Sequence, residues 1–228
     1  MTVLWLTRHA ETSIPTIFHG AESDVGLSDL GRRQAVAAAG WYREFGLTAV
    51  VSSAMTRAKD TAAPIAAACG VEHHIEPDLH ERRVGVLSGT AFSSEGGPWP
   101  ETITRWVAGE TAFTTPGAES FDQLRARLVP AFERVADRFA GGRVLVVAHG
   151  VVCKVLLLSL LPGYGPADWM RIGRVANLAA TELIRDGATW AAGALHPPRV
   201  DGPLMVVPPP VAALTAGAPT EAGEKSQG

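Results

Sequence analysis

The stretch Val3–His9, of sequence VLWLTRH, places a short apolar run directly before a cation and an imidazole. Such a run of large and β-branched side chains is typical of a buried strand. A second run, Val144–Gly150 of sequence VLVVAHG, also ends in a histidine. Because ligands bind at the carboxyl ends of the strands in open α/β sheets, we expect the two histidines to share one anion site.

The rest of the chain alternates between strand-like and helix-like segments. The predicted strands are Thr2–Thr7, Ala49–Ser52, His74–Glu76 and Arg143–Ala148, with a closing hairpin of Ala179–Ile184 and Thr189–Ala194. The predicted helices are Asp29–Phe45, Met55–Cys69, Glu101–Ala108, Ser120–Phe139 and Val151–Leu161. This alternation favours an α/β fold, in which helices cover both faces of a mostly parallel sheet and the hairpin adds an antiparallel edge.

Several helix ends carry residues with a known preference for those positions. Ser28 is a predicted N-cap, and Gly70 follows the predicted end of the second helix. Glu119, which precedes Ser120, is interpreted as a cap of the long helix. Pro130 lies inside that helix and is expected to kink it.

Length and composition restrict the class of protein. The chain has 228 residues, 46% of them hydrophobic, and a formal net charge of −3. We expect one catalytic domain over 1–197 and a flexible tail rich in Pro, Ala and Gly over 198–228. The slightly acidic charge argues against a nucleic-acid partner. The longest apolar stretch, Val155–Leu161, is too short to cross a bilayer, so a cytoplasmic protein without a membrane partner is expected.

The two cysteines, Cys69 and Cys153, form no CxxC pair, so no structural zinc cluster is expected. A cytoplasmic protein would keep both thiols reduced. We therefore predict that both are free and buried.

Three strand ends carry the candidate functional side chains. Arg8 and His9 follow the first strand, Ser52-Ser53 and then Arg57 follow the second, and His149 follows the fourth. A neutral His9 could attack phosphorus while Arg8 and His149 hold its oxygens, although a lone histidine is more often a hydrogen-bonded core residue. Arg57 begins a helix, where an anion would be favoured, but it could instead pair with Asp60 or Glu81.

The reaction also needs a general acid to protonate the leaving oxygen. Several carboxylates have suitable chemistry for this role, and the residues alone do not choose between them. Glu81 lies in a loop and could protonate a leaving oxygen, although pairing with Arg82 or Arg83 is the simpler interpretation of that stretch. The other carboxylates with suitable chemistry are Glu22, Asp24, Asp78 and Glu119.

Other chemistries fit the sequence less well. His9 and Glu11 match half of a zinc-deaminase motif, but the PCxxC half is absent. A metal held by His9, Glu11 and His149 would be repelled by the neighbouring arginines. The chain has neither a GxxxxGK[ST] loop nor a GxGxxG loop, so nucleotide binding by those routes is not supported.

Six segments in the same order resemble the motifs of the histidine phosphatase superfamily, the phosphoglycerate mutase-like family, branch 1 type. They correspond to RHGET, L-T/S-x-x-G-x-x-Q-A, SSPLxRAxxTA, LxExxxGxxxG, GES and the second-histidine motif of the family. The matching segments are Leu6–Thr12, Leu27–Ala35, Ser52–Ala62, Leu79–Glu81 with Gly85 and Gly89, Gly117–Ser120, and Val147–Gly150.

The resemblance implies a three-layer α/β/α sandwich and an enzyme that needs neither a metal nor another cofactor. It implies that His9 is the phosphorylated nucleophile and that Arg8, Arg57 and His149 complete the phosphate pocket. It also implies that Glu81 is the proton donor.

Two positions depart from the family pattern. Ala10 replaces a common glycine, which is a mild change where the backbone is not left-handed. Pro15 stands where many relatives have an asparagine that lines the phosphate pocket. Ser13, His19 and Ser23 are the candidates to replace its contacts with substrate.

We predict a phosphatase for small-molecule phosphate esters. A phosphoglycerate mutase would carry more cations between Glu81 and Glu119, where there are few beyond Arg82, Arg83 and Arg105. A phosphate-binding protein without activity is the alternative from another class. Trp99, Trp106 and Phe92 could cover the leaving group, although packing is the favoured interpretation. The sequence does not indicate an oligomeric state.

Overall fold

The computed structural model describes residues 1–91 and 96–193, and its centre is a six-stranded sheet. The strands are β1 (Thr2–Arg8), β2 (Ala49–Ser52), β3 (His73–Ile75), β4 (Arg143–Ala148), β5 (Ala180–Asp186) and β6 (Thr189–Ala192). Their order across the sheet is β3-β2-β4-β1-β5-β6. The first four strands pair in parallel, and β5 and β6 add an antiparallel edge, as the sequence predicted.

Strand register brings the polar strand ends together. Arg8 pairs with Ala148, and Ser52 pairs with Val147. The pairing continues one residue further on both sides of β4, because the His9 N–H donates to the Ala148 carbonyl at 2.9 Å and the Ser53 N–H donates to the Val147 carbonyl at 3.2 Å. Residues that follow β1, β2 and β4 therefore meet at one edge of the sheet.

Helices cover both faces of this sheet. They are α1 (Asp29–Tyr42), α2 (Thr56–Cys69), α3 (Pro98–Val107), α4 (Phe121–Arg138), α5 (Gly150–Leu160) and α6 (Trp169–Ile172). Alternate strand residues face opposite layers: Leu4 and Leu6 pack into the cluster that contains α4 and α5, whereas Trp5 packs into the cluster that contains α1 and α2. The fold is thus the predicted three-layer α/β/α sandwich.

Residues at the helix ends explain where the helices begin and end. The Ser28 hydroxyl accepts the Gly31 N–H at 2.9 Å, which confirms it as the N-cap of α1. Gly70 adopts a left-handed φ of 67° just after α2, as expected of a C-terminal glycine. Helix α3 begins three residues before its predicted start because Pro98 occupies its first position.

The predicted cap of α4 is wrong. The Ser120 hydroxyl accepts the Gln123 N–H at 3.2 Å, and the Gln123 side chain accepts the Ser120 N–H at 2.9 Å, forming a capping box. Glu119 instead forms an ion pair with Arg127 at 2.9 Å. Pro130 lies within α4, which continues on both sides of it.

The cysteines, the proposed tail and Phe92 were also the subject of predictions from the sequence. Cys153 is free and buried as predicted, but Cys69 is partly exposed, so its predicted burial is wrong. The proposed tail, 198–228, lies outside the described residues, as does Phe92. Within 1–91 and 96–193, no helix is both long and apolar enough to span a membrane.

Helix α5 contains a buried lysine, Lys154, that forms no ion pair with any described residue. Lys154 is 9% exposed, and its Nζ lies 4.3 Å from the centroid of the Trp169 ring. Burial lowers the pKa of Lys154 to about 8. The protonated amine therefore opposes folding below that pH, and a cation–π contact offsets only about 1 kcal/mol of the cost.

We expect Lys154→Met to raise the free energy of unfolding by about 1–2 kcal/mol near neutral pH. Between the folded pKa and the ordinary lysine pKa, the unfolded wild type binds more protons, so wild-type stability rises with pH in that interval. Urea unfolding of both proteins from about pH 7 to about pH 10 measures this. The advantage of the variant should shrink as the pH rises, and a constant difference would contradict the assignment.

Candidate active site

His9 is held with one ring nitrogen occupied. Its Nδ1 lies 2.7 Å from the Ala10 carbonyl oxygen, and because a carbonyl only accepts, Nδ1 carries the proton. Burial lowers the pKa of His9 well below the usual histidine value, and the Arg8 and Arg57 cations lower it further. The ring is therefore neutral, and its Nε2 carries a lone pair suited to nucleophilic attack.

The backbone beside this ring is fixed by distant residues. The Ala10 N–H donates to the Thr61 hydroxyl at 3.0 Å, and the Asn177 side-chain amide donates to the His9 carbonyl at 2.8 Å. Ala10 is fully buried, and among the described non-glycine residues only Leu178 has a positive φ. The replacement of glycine by Ala10 therefore adds no backbone strain.

Asn177 belongs to a loop that wraps the end of β1 and was not predicted from the sequence. The Arg8 guanidinium donates to the Val175 carbonyl at 2.8 Å, and the Leu178 N–H donates to the Arg8 carbonyl at 2.9 Å. Leu178 adopts a left-handed φ of 60°, which a leucine rarely takes. No local pattern marks this loop, because its role depends on contact with a strand about 170 positions earlier in the chain.

Arg8 lies against the start of α5. A Cβ atom added at Gly150 would make ordinary van der Waals contact with Arg8 Nε at 3.7 Å, so the arginine side chain packs directly on the first residue of α5. Arg8 Nε is buried and has no hydrogen-bond partner among residues 1–91 and 96–193. The Arg8 cation thus faces the amino-terminal end of α5 with a donor unused.

His149 also has an unused nitrogen. Its ring lies 5.2 Å from the His9 ring, centroid to centroid, at an interplanar angle of 61°. Its Nε2 lies 2.7 Å from the Ser53 hydroxyl, whereas its Nδ1 is buried and has no hydrogen-bond partner within the described residues. Burial lowers the pKa of His149 well below the usual value, and the Arg57 cation adds to this, so this ring too is neutral.

Arg57 is buried at the start of α2. Its two terminal nitrogens donate to the Ser23 and Gly20 carbonyls, both at 2.9 Å, instead of pairing with Asp60. The Asp24 carboxylate accepts the Thr56 N–H at 2.7 Å and the Thr56 hydroxyl at 2.9 Å. Asp24 therefore supplies the negative charge that the helix start favours, and it ties the loop that holds Arg57 to that helix.

Glu81 lies beside both arginines. It accepts the Arg82 N–H at 2.9 Å through Oε1 and the Val151 N–H at 3.4 Å through Oε2, at the start of α5. Burial lowers the pKa of Arg8 and of Arg57, and the Glu81 carboxylate partly offsets that shift in both. The negative charge of Glu81 thus acts on the two arginines that lie next to the histidines.

The other carboxylates considered from the sequence are committed to structural contacts. Glu22 accepts the N–H groups of Val84 and Gly85 at 2.9–3.1 Å, and Asp24 holds the start of α2. Glu119 pairs with Arg127, and Asp78 pairs with Arg134 at 2.6 Å. Of the five candidates, Glu81 is the one whose charge acts on both Arg8 and Arg57.

The three residues considered as replacements for the family asparagine lie in the loop after β1. His19 Nε2 is 2.6 Å from the Ile14 carbonyl, and its Nδ1 is 3.0 Å from the Ser23 hydroxyl. The proximity of His19 is one of the influences that lower the pKa of His9, after burial and the two arginines. Ser13 and Pro15 are exposed. His19 and Ser23 thus brace the loop that holds Arg57, and substrate contact by any of the three stays a prediction.

Two tryptophans pack around a cation next to Glu81. The Arg82 guanidinium lies 4.9 Å from the Trp99 ring centroid and 5.5 Å from that of Trp106. Trp106 is fully buried, as the packing interpretation predicted, whereas Trp99 and Phe18 line a cavity of about 370 Å³. Trp99 therefore borders open space, although it also packs against the core.

The site is thus a largely buried cluster of two neutral histidines and two arginines, with one carboxylate beside it. Within 1–91 and 96–193, no three His, Cys, Asp or Glu side chains are grouped so that they could hold a metal ion. Residues 4–196 match the histidine phosphatase superfamily (branch 1), and the chain belongs to that superfamily.

Individual relatives agree with this membership. The chain is 39% identical over 166 residues to a protein of Arabidopsis thaliana named metal-independent phosphoserine phosphatase, covering 70% of this chain and 69% of that protein. It is 31% identical over 197 residues to a probable phosphoglycerate mutase of Yersinia pestis, covering 84% and 89%. It is 36% identical over 191 residues to a bifunctional protein of Mycobacterium tuberculosis; this match covers 82% of the chain but only 52%, about half, of that relative's length.

Solved structures share the fold. A mycobacterial glucosyl-3-phosphoglycerate phosphatase in complex with inorganic phosphate superimposes with a TM-score of 0.73 at 27% identity. The match covers 85% of this chain and 96% of that one.

Proposed function

We propose that the protein is a phosphatase that hydrolyses small-molecule phosphomonoesters through a covalent phosphohistidine at His9. One observation carries the proposal: Arg8 Nε and His149 Nδ1, both close to His9, are buried and have no hydrogen-bond partner in the described part of the chain. Folded proteins leave few buried polar atoms unsatisfied, because each costs about 1–3 kcal/mol. A phosphoryl group supplies oxygen acceptors for both nitrogens and places phosphorus in front of His9.

In the first step, the ester dianion occupies the space between Arg8, Arg57 and His149. The lone pair of His9 Nε2 forms a bond to phosphorus as the ester P–O bond breaks in line with it. Protonated Glu81 transfers its proton to the departing oxygen and becomes a carboxylate. The Nδ1–H bond to the Ala10 carbonyl stabilises the positive charge that the ring acquires.

In the second step, the Glu81 carboxylate accepts a proton from water. The water oxygen bonds to phosphorus, the P–N bond breaks, and orthophosphate leaves. Glu81 is then protonated and His9 is neutral, so the cycle closes with one water consumed. No step draws on a metal, and relatives support this route, because one bears the name metal-independent phosphoserine phosphatase.

Phosphoglycerate mutase chemistry is the second candidate, and the relative from Yersinia pestis favours it. A mutase must hold a second anion close to the phosphoryl group. Arg82, however, is buried and donates to the Glu119 carbonyl at 2.8 Å and the Thr114 hydroxyl at 3.1 Å. Arg105 pairs with Glu101 and Glu110. These cations are engaged elsewhere, which supports hydrolysis over transfer.

A substrate screen tests the choice. Purified protein is incubated with p-nitrophenyl phosphate, phosphoserine and 3-phosphoglycerate, and orthophosphate release is measured beside phosphoryl exchange between positions of phosphoglycerate. We expect orthophosphate release without exchange. Exchange without release would establish the mutase, and tight binding of orthophosphate without turnover would establish a binding protein.

Arg57 should act mainly on the transition state. Its guanidinium neutralises charge that spreads over the equatorial oxygens as the P–O bond breaks. We expect Arg57→Ala to lower kcat by about 100-fold with a much smaller change in KM. Steady-state kinetics with p-nitrophenyl phosphate measure both constants, and exposed Arg125 on α4, changed to alanine, is the control. A change confined to KM would refute this role.

A further inference from the structure

The contact between Ser53 and His149 has a consequence for the reaction. Ser53 follows β2 and His149 follows β4, so strand pairing brings them together although 96 positions separate them. The Ser53 hydroxyl lies 2.7 Å from His149 Nε2, and both side chains are fully buried. At this distance the two groups share one proton in a hydrogen bond.

Two proton arrangements are possible for this pair. If Nε2 carried the ring proton, it would donate to Ser53, and the buried serine hydroxyl would have no acceptor of its own. The other contact of Ser53 Oγ among the described residues is with the Met55 N–H at 3.4 Å, in which the oxygen accepts. If the hydroxyl donates to Nε2, every proton of the serine is satisfied. The second arrangement therefore leaves fewer buried groups unpaired.

The ring is neutral, so it carries a single N–H. When Nε2 accepts, that N–H must be on Nδ1, the buried atom for which no described residue provides a partner. An Nδ1–H can donate to a phosphoryl oxygen, whereas an unprotonated Nδ1 would present its lone pair to a dianion and repel it. The tautomer of His149 thus decides whether the ring stabilises or opposes the reacting group.

We propose that Ser53 is a positioning residue that fixes His149 as the Nδ1–H tautomer, so that His149 donates to the transferring phosphoryl group as a neutral donor. Ser53 does not touch the substrate and acts only through His149. The catalytic part of this inference rests on the proposed phosphatase function. The tautomer itself is a property of the folded protein and can be measured whether or not the protein turns over.

The first test is spectroscopic. Nitrogen NMR of protein with 15N-labelled histidine, with and without inorganic phosphate, reports which ring nitrogen of His149 carries the proton, and His149→Gln assigns the signal. We expect Nδ1–H in the wild type, with the signal perturbed by phosphate. Protonation at Nε2 in the phosphate-bound protein would overturn the inference. This measurement needs no Ser53 variant to fold.

The second test is kinetic. We expect Ser53→Ala to lower kcat for p-nitrophenyl phosphate by about 10- to 100-fold with little change in KM, the range typical of residues that orient a reacting group. The His149 signal should lose its Nδ1–H character in the same variant. Ser159→Ala is the matched control, because Ser159 lies near the end of α5, outside the site, and its buried hydroxyl has no hydrogen-bond partner among the described residues. Equal losses in the two variants, or unchanged kcat in Ser53→Ala, would overturn the inference.

Failure here is distinguishable from failure of the proposed function. If the wild type forms no phosphohistidine but His149 holds Nδ1–H through Ser53, the function is wrong and the tautomer assignment stands. If a phosphohistidine forms while Ser53→Ala keeps full activity, the function stands and the role of Ser53 is wrong.

Discussion

His9→Ala should reduce phosphate release on the order of 10⁴-fold or more, because it removes the nucleophile and leaves only the groups that bind phosphate. The side chain is buried between Arg8, Arg57 and His149, and its Nε2 has no other use in the described part of the chain. Water attacking directly in its place would not be aligned with the ester bond.

Trapping measures the intermediate directly. Wild-type protein incubated with a 32P-labelled ester and denatured in alkali should carry one label that is stable to base and lost in acid, and His9→Ala should carry none. His74→Ala is the control, because His74 lies in edge strand β3 and contacts Glu72 and Arg138. Retained activity and label in His9→Ala would exclude the mechanism, and circular dichroism establishes that each variant is folded.

Glu81→Gln should lower turnover of alkyl phosphates by about 10²- to 10⁴-fold, the range that a positioned general acid contributes. An alkoxide is a poor leaving group and needs the proton, whereas p-nitrophenolate departs without one. The first step should therefore survive with p-nitrophenyl phosphate and fail with phosphoserine. The second step lacks its base, so the variant should accumulate phosphohistidine when p-nitrophenyl phosphate is the ester.

Release of p-nitrophenol by the variant is followed over time. We expect a rapid burst, equal in amount to the enzyme present, and then slow turnover. Asp78→Asn is the matched control, because Asp78 is another loop carboxylate of the same segment and is exposed beside Arg134. Equal losses with both esters and no burst would show that Glu81 supports the fold of the loop and does not transfer protons.

Local patterns predicted most of the architecture. Short apolar runs identified β1 and β4 because a strand buried on both faces needs apolar side chains at every position. Ser28 and Gly70 were recognisable as helix ends because capping depends on residues within one turn. Glu119 was misjudged as a cap. The neighbouring Ser120 fits the capping rule better and forms the capping box, and Glu119 instead pairs with Arg127, eight positions later in the chain.

The meeting of His9 and His149 could also be predicted from the sequence, because the carboxyl ends of parallel strands lie at the same edge of a sheet. The choice of acid could not. Five carboxylates had suitable chemistry, and only their partners separate them: Glu22 binds backbone N–H groups, Asp24 holds a helix start, and Glu81 reaches both pocket arginines. Resemblance to the family selected Glu81, and the contacts show why the others are committed.

Sequence alone determined the succession of strands and helices along the chain. It also located the two histidines at strand ends and the arginines near them, because these features follow from hydrophobic periodicity and from position along the chain. Tertiary structure decided the proton positions. The Ala10 carbonyl leaves Nε2 of His9 free, and Ser53 sets the free nitrogen of His149. Asn177 and Val175 hold the end of β1 from the far side of the chain. Such contacts join residues up to about 170 positions apart, and a local pattern carries no information about pairs that only folding brings within hydrogen-bond distance.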